Sequence, residues 1–308
     1  MSDNILPLIC NPPELKPLYQ WMQEKIRHNA TFYAIKSSHT PISGTMARID
    51  FLGTGNAFSP KGRFHALAII DKCISIDAPP TLIYQLRNAS INPGSINNIL
   101  FTHWHADHTF GFPFILLERK YLLRNEKNNN LNIYLRPNGK NFLTNLCKIG
   151  FPGSLEDSFD KSINWNESEN SQIMDTDWKF NRFPVCHTPE TDPHGYELIH
   201  KNGFVLLHCG DSGPCEEIDI RSKNADVIIL EMGMPDIGNF PYHHTPADII
   251  SFTQKFPDKL VLVTHNYATS KSKEGEFGIP KLPKTIHQLE DGDLLDIFDD
   301  GTFKICSI

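Results

Sequence analysis

Apolar residues in this chain come in short runs, each stopped by a turn rich in glycine, proline, asparagine or aspartate. Residues 47–52 read as a strand ending in Gly53-Thr54-Gly55, and 65–70 with 73–76 as a hairpin around Asp71-Lys72. A helix is expected over 79–88, with proline near its start, and a strand over 96–102. The pattern continues with a helix at 112–124, a strand at 131–135 and a helix at 139–147. Residues 150–176 are polar and rich in Ser, Asn, Asp and Glu, which predicts a surface insertion or long loop. Strands resume at 178–186, 195–200, 204–207 and 226–230.

Thr245-Pro246-Ala247-Asp248 is a helix start, with threonine as N-cap and an acid at the third helical position, and that helix runs to about 256. A buried strand follows at 260–264, and the tail from 288 holds one or two more. Residues 1–45 are the least patterned, with prolines at 7, 12, 13 and 17 before a helix at 18–27. They form either an arm on a partner subunit or active site, or a loosely ordered extension. The remainder, 46–308, has two similar halves of strands and helices. That order predicts an α/β fold, a four-layer αββα sandwich of two sheets packed face to face with helices outside.

Composition narrows the function without naming it. The chain has 308 residues, 40% hydrophobic and 21% charged, which is ordinary for a globular protein with a large core. Its net charge of −7 argues against a surface built to hold long nucleic acid by phosphate contacts alone. Seven cysteines, with no C-x-x-C, fit free thiols in a reducing compartment better than a disulfide scaffold, and Cys209 and Cys215 read as small, partly buried hydrophobes. Neither a signal peptide nor an apolar run of membrane-spanning length is present, so the expected location is the cytoplasm.

The chemistry concentrates in His103-Trp104-His105-Ala106-Asp107-His108, which puts four metal-capable side chains in six positions. The loop follows an apolar strand, and a tight loop at a strand end can aim several side chains into one space. Imidazoles and carboxylates suit zinc and similar cations. One loop cannot saturate two cations, so further ligands are expected where other apolar runs stop: His187, Asp211 and His265.

Together these pieces resemble the metallo-β-lactamase superfamily, and within it the ribonuclease Z and phosphodiesterase branch. The matching segments are Phe51-Leu52-Gly53-Thr54-Gly55, Ile76-Asp77, Thr102 to His108, Val185-Cys186-His187 ahead of Gly195-Tyr196, Gly210-Asp211-Ser212, Ile229-Leu230-Glu231, His243-His244-Thr245 and Val263-Thr264-His265. The resemblance implies two divalent ions, zinc or manganese. One would take His103, His105 and His187, the other Asp107, His108 and His265, and Asp211 would bridge them. A bridging carboxylate suits cations about 3.5–4 Å apart, with a shared water primed as nucleophile.

Asp107, His243 and Glu231 are the residues the resemblance assigns to catalysis. Asp77 would orient a ligand or the metal loop, or else be an ordinary strand-end turn residue. An acid beside an imidazole raises its pKa and fixes its tautomer, which suits His243 to the leaving group. The doubled His243-His244 leaves open which of the two acts, with His243 the better match. His194 is either a substrate-pocket residue or a rim histidine. A homodimer is expected by resemblance only.

Ribonuclease Z enzymes resemble one another in a long Gly/Pro-rich arm that grips transfer RNA, in the bacterial type between the third and fourth ligand segments. Here residues 188–210 hold only a turn and two short strands. The expectation is therefore a metal-dependent phosphodiesterase acting on a small phosphodiester, such as a cyclic nucleotide or a short oligonucleotide. The alternatives are a ribonuclease Z-like endonuclease processing transfer RNA 3′ ends, or a thioester or lactam hydrolase.

Overall fold

The computed structural model describes residues 44–122, 130–271, 273, 278 and 280–307. The expected N-terminal arm, with its helix at 18–27, lies outside these residues. In chain order the first strands are β1 (Thr45–Gly53), β2 (Leu67–Ile70), β3 (Ile74–Ile76), β4 (Asn98–Leu100), β5 (Leu131–Tyr134), β6 (Ile163–Asn166), β7 (Asn170–Gln172) and β8 (Trp178–Pro184). They are followed by β9 (His194–His200), β10 (Val205–His208), β11 (Val227–Met232), β12 (Leu260–Asn266), β13 (Ile286–Gln288), β14 (Leu294–Phe298) and β15 (Phe303–Cys306). The helices are α1 (Leu82–Asn88), α2 (Ala106–Thr109), α3 (Phe112–Tyr121), α4 (Gly139–Gly150), α5 (Ser158–Lys161), α6 (Glu216–Ser222) and α7 (Pro246–Lys255).

The strands form two mixed sheets, in the orders β15-β14-β1-β2-β3-β4-β5-β6 and β13-β12-β11-β10-β9-β8-β7. Side chains alternate faces along each strand. In β4, Leu100 joins the cluster shared by both sheets, while Ile99 joins the one under the first group of helices. In β11, Val227 and Ile229 point between the sheets, while Ile228 and Leu230 pack under α6 and α7 with Ile218, Ile249 and Phe252. Three apolar layers between four layers of structure make the expected αββα sandwich.

Each sheet ends in a run of parallel strands: β3, β4, β5 and β6 in one, β10, β11, β12 and β13 in the other. Parallel strands deliver their C-terminal ends to one edge, where ligands gather in α/β sheets.

Local signals explain most boundaries. Asp71 and Lys72 both have positive φ (49° and 58°), the left-handed pair of a tight hairpin turn between β2 and β3. Thr245 caps α7 by accepting from Asp248 N, and Asp248 returns the bond, a complete capping box.

Residues 150–176 differ from the expected surface loop. They carry α5 and then β6, which pairs with β5 at the edge of the first sheet, and β7, which pairs with β8 at the edge of the second. The segment carries the chain from one sheet to the other. Its strands are polar because edge strands expose a face, as Asn164, Asn170 and Gln172 do. Helix α6 was not legible: it buries only Ile218 and Ser222, too little to mark a helical stripe. The tail beyond 288 holds two strands, β14 and β15, as expected, and β13 just before it was not read from the sequence.

Candidate metal centre

The loop from Thr102 to His108 is pinned from beneath by Asp77. One Asp77 carboxylate oxygen accepts from Thr102 N at 2.7 Å; the other accepts from Thr102 Oγ1 and from His108 Nδ1, both at 2.8 Å. Asp77 has φ 65°, a left-handed position that aspartate tolerates better than most residues. With Nδ1 engaged, His108 presents Nε2, which lies 3.3 Å from Asp107 Oδ2 and 3.5 Å from Asp211 Oδ1. Helix α2 begins directly after His105, so Asp107 and His108 sit on its single turn.

His187 is oriented in the same way by a different group. Its Nδ1 donates to the Tyr242 carbonyl at 2.9 Å, leaving Nε2 3.1 Å from His105 Nδ1. His103 Nε2 is 3.0 Å from the same His105 nitrogen and 3.8 Å from Asp211 Oδ2. His265, near the end of β12, places Nε2 3.2 Å from Asp211 Oδ2 and 3.3 Å from Asp107 Oδ2.

The side chains therefore converge in two groups: His103, His105 and His187 with Asp211, and Asp107, His108 and His265, with donor atoms within 4.8 Å of one another in each group. The two Asp211 oxygens reach both, Oδ1 toward His108 and Oδ2 toward His103 and His265. All seven residues named from the sequence lie in this one place.

The donors suit a cation. Nε2 of His108, the ring nitrogen turned toward Asp107 and Asp211, is buried without a hydrogen-bond partner. Burial, then the neighbouring His108, pushes the His103 imidazole well below its ordinary range, which favours the neutral form that ligates. Burial would raise the Asp211 carboxyl, but His265 and His108 hold it well below the usual carboxylate range. Burial also opposes charge on His108, yet Asp211, Asp107 and Asp77 outweigh it and push that imidazole well above its usual range. Carboxylates crowded on one imidazole call for positive charge between them, and dications bound there would supply it.

Glu231 and His243 flank the two groups. Glu231, buried at the end of β11, accepts from His243 Nδ1 at 2.7 Å and from His244 N at 3.3 Å. Burial lowers the His243 pKa, but the hydrogen bond and charge of Glu231 more than reverse this and raise it to about 9. The His243 ring stands 4.8 Å from the His187 ring and stacks on His265 at 6.1 Å. Gly233 allows this approach, since a Cβ there would lie 2.8 Å from both Glu231 Oε2 and His243 Nδ1.

The adjacent His244 points elsewhere. Its side chain lines a separate hollow with Pro214, Cys215 and Asp248. Of the two histidines, it is His243 that stands beside the donor groups. His194 is neither a rim residue nor part of the centre: it is buried, with Nε2 3.3 Å from the Tyr196 hydroxyl.

Sequence reading missed the Tyr242 carbonyl that orients His187. A backbone acceptor carries no side-chain signal. It also missed His208, which lines a cavity of about 20 Å³ beneath the donors with Asp77, Asp211 and Thr264.

The family described as "Anti-Pycsar protein Apyc1" matches residues 47–283, more than half of the chain. The chain belongs to that family. Its matched span covers every candidate ligand and the Glu231–His243 pair. The Apyc1-family chain is also 25% identical over 272 residues to Ribonuclease Z of Thermococcus kodakarensis, covering 71% of this chain and 84% of the relative. Its fold is shared with the metallo-β-lactamase fold protein YhfI from Bacillus subtilis, with a TM-score of 0.63, 11% identity, 80% of this chain and 98% of that one. It is shared as well with the short form of human tRNase Z, with a TM-score of 0.56, 20% identity, and again 80% and 98% coverage. This Apyc1-family member is a metal-dependent hydrolase of the metallo-β-lactamase superfamily, in its ribonuclease Z branch. Among the described residues no helix is long and apolar enough to cross a membrane.

Asp77 gives a first test of the centre. Asp77→Asn keeps the size of the side chain but removes the charge behind His108. Metal affinity is expected to fall about 10–100-fold, the usual cost of losing a partner behind a ligating histidine. Competition with a chelator measures it.

Proposed function

We propose that the chain is a two-metal phosphodiesterase whose substrate is a small phosphodiester, such as a cyclic nucleotide or a short oligonucleotide. The observation that carries this reading is the sharing of Asp211 between two donor groups, with the Glu231–His243 pair beside both. His103, His105 and His187 would hold one ion, Asp107, His108 and His265 the other, and Asp211 both. Oxygen and nitrogen donors of this kind suit zinc, or manganese as the second choice. When bound, the pair of ions supplies positive charge to polarise a phosphoryl group and acidify water.

The chain's own residues do the rest. Asp77 and the Tyr242 carbonyl fix which ring nitrogens of His108 and His187 face the centre. Glu231 holds His243 by Nδ1, so Nε2 is left to give a proton to the departing oxygen. Such positioned proton transfer is typically worth about 10²–10⁴-fold in rate.

Substrate size follows from the surroundings. Between His187 and Asp211 the chain is taken up by a short turn at Pro189–Thr191 and by β9 and β10, so an RNA-gripping arm has no room in that interval. The net charge of −7 agrees with a compact anion rather than a long one. The resemblance to Ribonuclease Z keeps precursor transfer RNA as the competing substrate.

The test is a side-by-side assay of the metal-loaded protein on cyclic nucleotides, short RNAs, a precursor transfer RNA and bis(p-nitrophenyl) phosphate. Turnover of the small diesters and of the chromogenic ester is expected, and prior treatment with a chelator should abolish it until zinc or manganese is restored. Cleavage confined to the precursor RNA would overturn the choice of substrate. Activity that survives complete metal removal would overturn the mechanism.

A further inference from the structure

His265 is held differently from the other candidate ligands. His108 and His187 each have a ring nitrogen fixed by an acceptor, Asp77 or the Tyr242 carbonyl. Nδ1 of His265 has no hydrogen-bond partner. Its backbone also has φ 45°, a left-handed conformation that a non-glycine residue holds only where its surroundings impose it. The placement of this imidazole therefore depends on the chain on either side of it.

Those flanks converge on one buried side chain, Arg63. After His265, Asn266 N donates to Thr54 O at 2.7 Å, and Asn56 N donates to Asn266 O at 3.2 Å. Before it, Val263 O accepts from Leu289 N at 3.0 Å. The Arg63 guanidinium reaches all of these segments. Nε donates to Ala268 O at 2.9 Å, one terminal nitrogen donates to Thr54 Oγ1 at 2.5 Å and to Leu289 O at 2.7 Å, and the other donates to Glu290 at 2.7 Å. Its side chain is wholly buried. A rigid fork that spans the segment past His265, the segment paired to Asn266 and the segment paired to Val263 fixes the backbone where it is strained.

We infer that Arg63 is a positioning residue: it holds His265 in its left-handed conformation and so sets the affinity of the ion taken by Asp107, His108 and His265. This rests on the two-ion reading of the centre. Lysine cannot make the same fork, and Thr54→Val removes one of its acceptors at nearly constant shape.

The experiment is zinc-binding competition against a chelator, read together with the visible spectrum of the cobalt-loaded protein. In Arg63→Lys, one ion should weaken by roughly 10–100-fold while the other keeps its affinity. Thr54→Val should weaken the same ion to a lesser degree, and it decides the matter if Arg63→Lys does not fold. Arg48→Lys is the control. Arg48 is a buried arginine paired with Asp296 at 2.6 Å across β1 and β14, and its loss lowers stability without touching the His265 segment. Unaltered affinity for both ions in folded Thr54→Val and Arg63→Lys overturns the inference, as does an equal loss in Arg48→Lys. A wild-type protein that holds fewer than two ions overturns the two-ion reading itself, and this inference with it.

Discussion

Asp211→Asn should abolish turnover, with a loss of about a thousandfold or more, while the protein still folds. The carboxylate is buried with His265 at 3.2 Å, His108 at 3.5 Å and His103 at 3.8 Å. An amide is neutral, and one of its two ends would turn N–H groups toward nitrogens that must stay free to ligate. A single oxyanion donor is worth about 10²–10³-fold, and Asp211 is asked to do more than stabilise charge, since it joins both donor groups.

The fold rests on its apolar layers, which this substitution leaves intact. Against the effect of burial, His265 and His108 hold the Asp211 carboxyl well below the usual range, so its charge stabilises the metal-free protein at neutral pH. Its loss should therefore lower the thermal midpoint of the metal-free variant. The rise of that midpoint on adding zinc should vanish, whereas in the wild type ions at a hundred times their dissociation constant add about 2.7 kcal/mol per site. A variant that still gains the wild-type rise in midpoint would contradict the shared role of Asp211.

The second large effect is expected at His243, and it should depend on the substrate. His243→Ala removes the group placed to give a proton to the leaving oxygen, and Glu231→Gln removes the charge that orients it at 2.7 Å. On a nucleotide diester, whose leaving alkoxide needs a proton, turnover should fall about 10²–10⁴-fold. On bis(p-nitrophenyl) phosphate, whose leaving group departs as a stable anion, the loss should be much smaller. Metal content should hold in both variants. His243 also stands close enough to Asp211 and His265 to count as a donor, so loss of an ion from His243→Ala would reassign it from proton donor to ligand.

Much of this was legible because the informative residues sit where apolar runs stop. Helix α7 was announced by its capping box, and the turn between β2 and β3 by Asp71-Lys72. The metal loop declared itself by the density of donors after β4. His187, Asp211 and His265 each follow an apolar run, and β8, β10 and β12 run in the same direction, so their ends share one edge.

What stayed hidden did so for physical reasons. The crossover at 150–176 is built of edge strands, which face water on one side and lack an apolar run. Helix α6 has almost no buried stripe. Tyr242 acts through its carbonyl, which any residue has. Arg63 reads in sequence as one charge in the polar turn Pro60-Lys61-Gly62-Arg63, and only the folded chain shows it surrounded by acceptors from three segments.

Anomalous diffraction at the zinc edge, from crystals grown with zinc, tests the paired centre most directly. Two peaks are predicted on either side of Asp211, about 3.5–4 Å apart and each within about 2.0–2.2 Å of its histidine and carboxylate donors. A single peak, or none, with His265, His108 and Asp107 turned away from one another, would contradict the account.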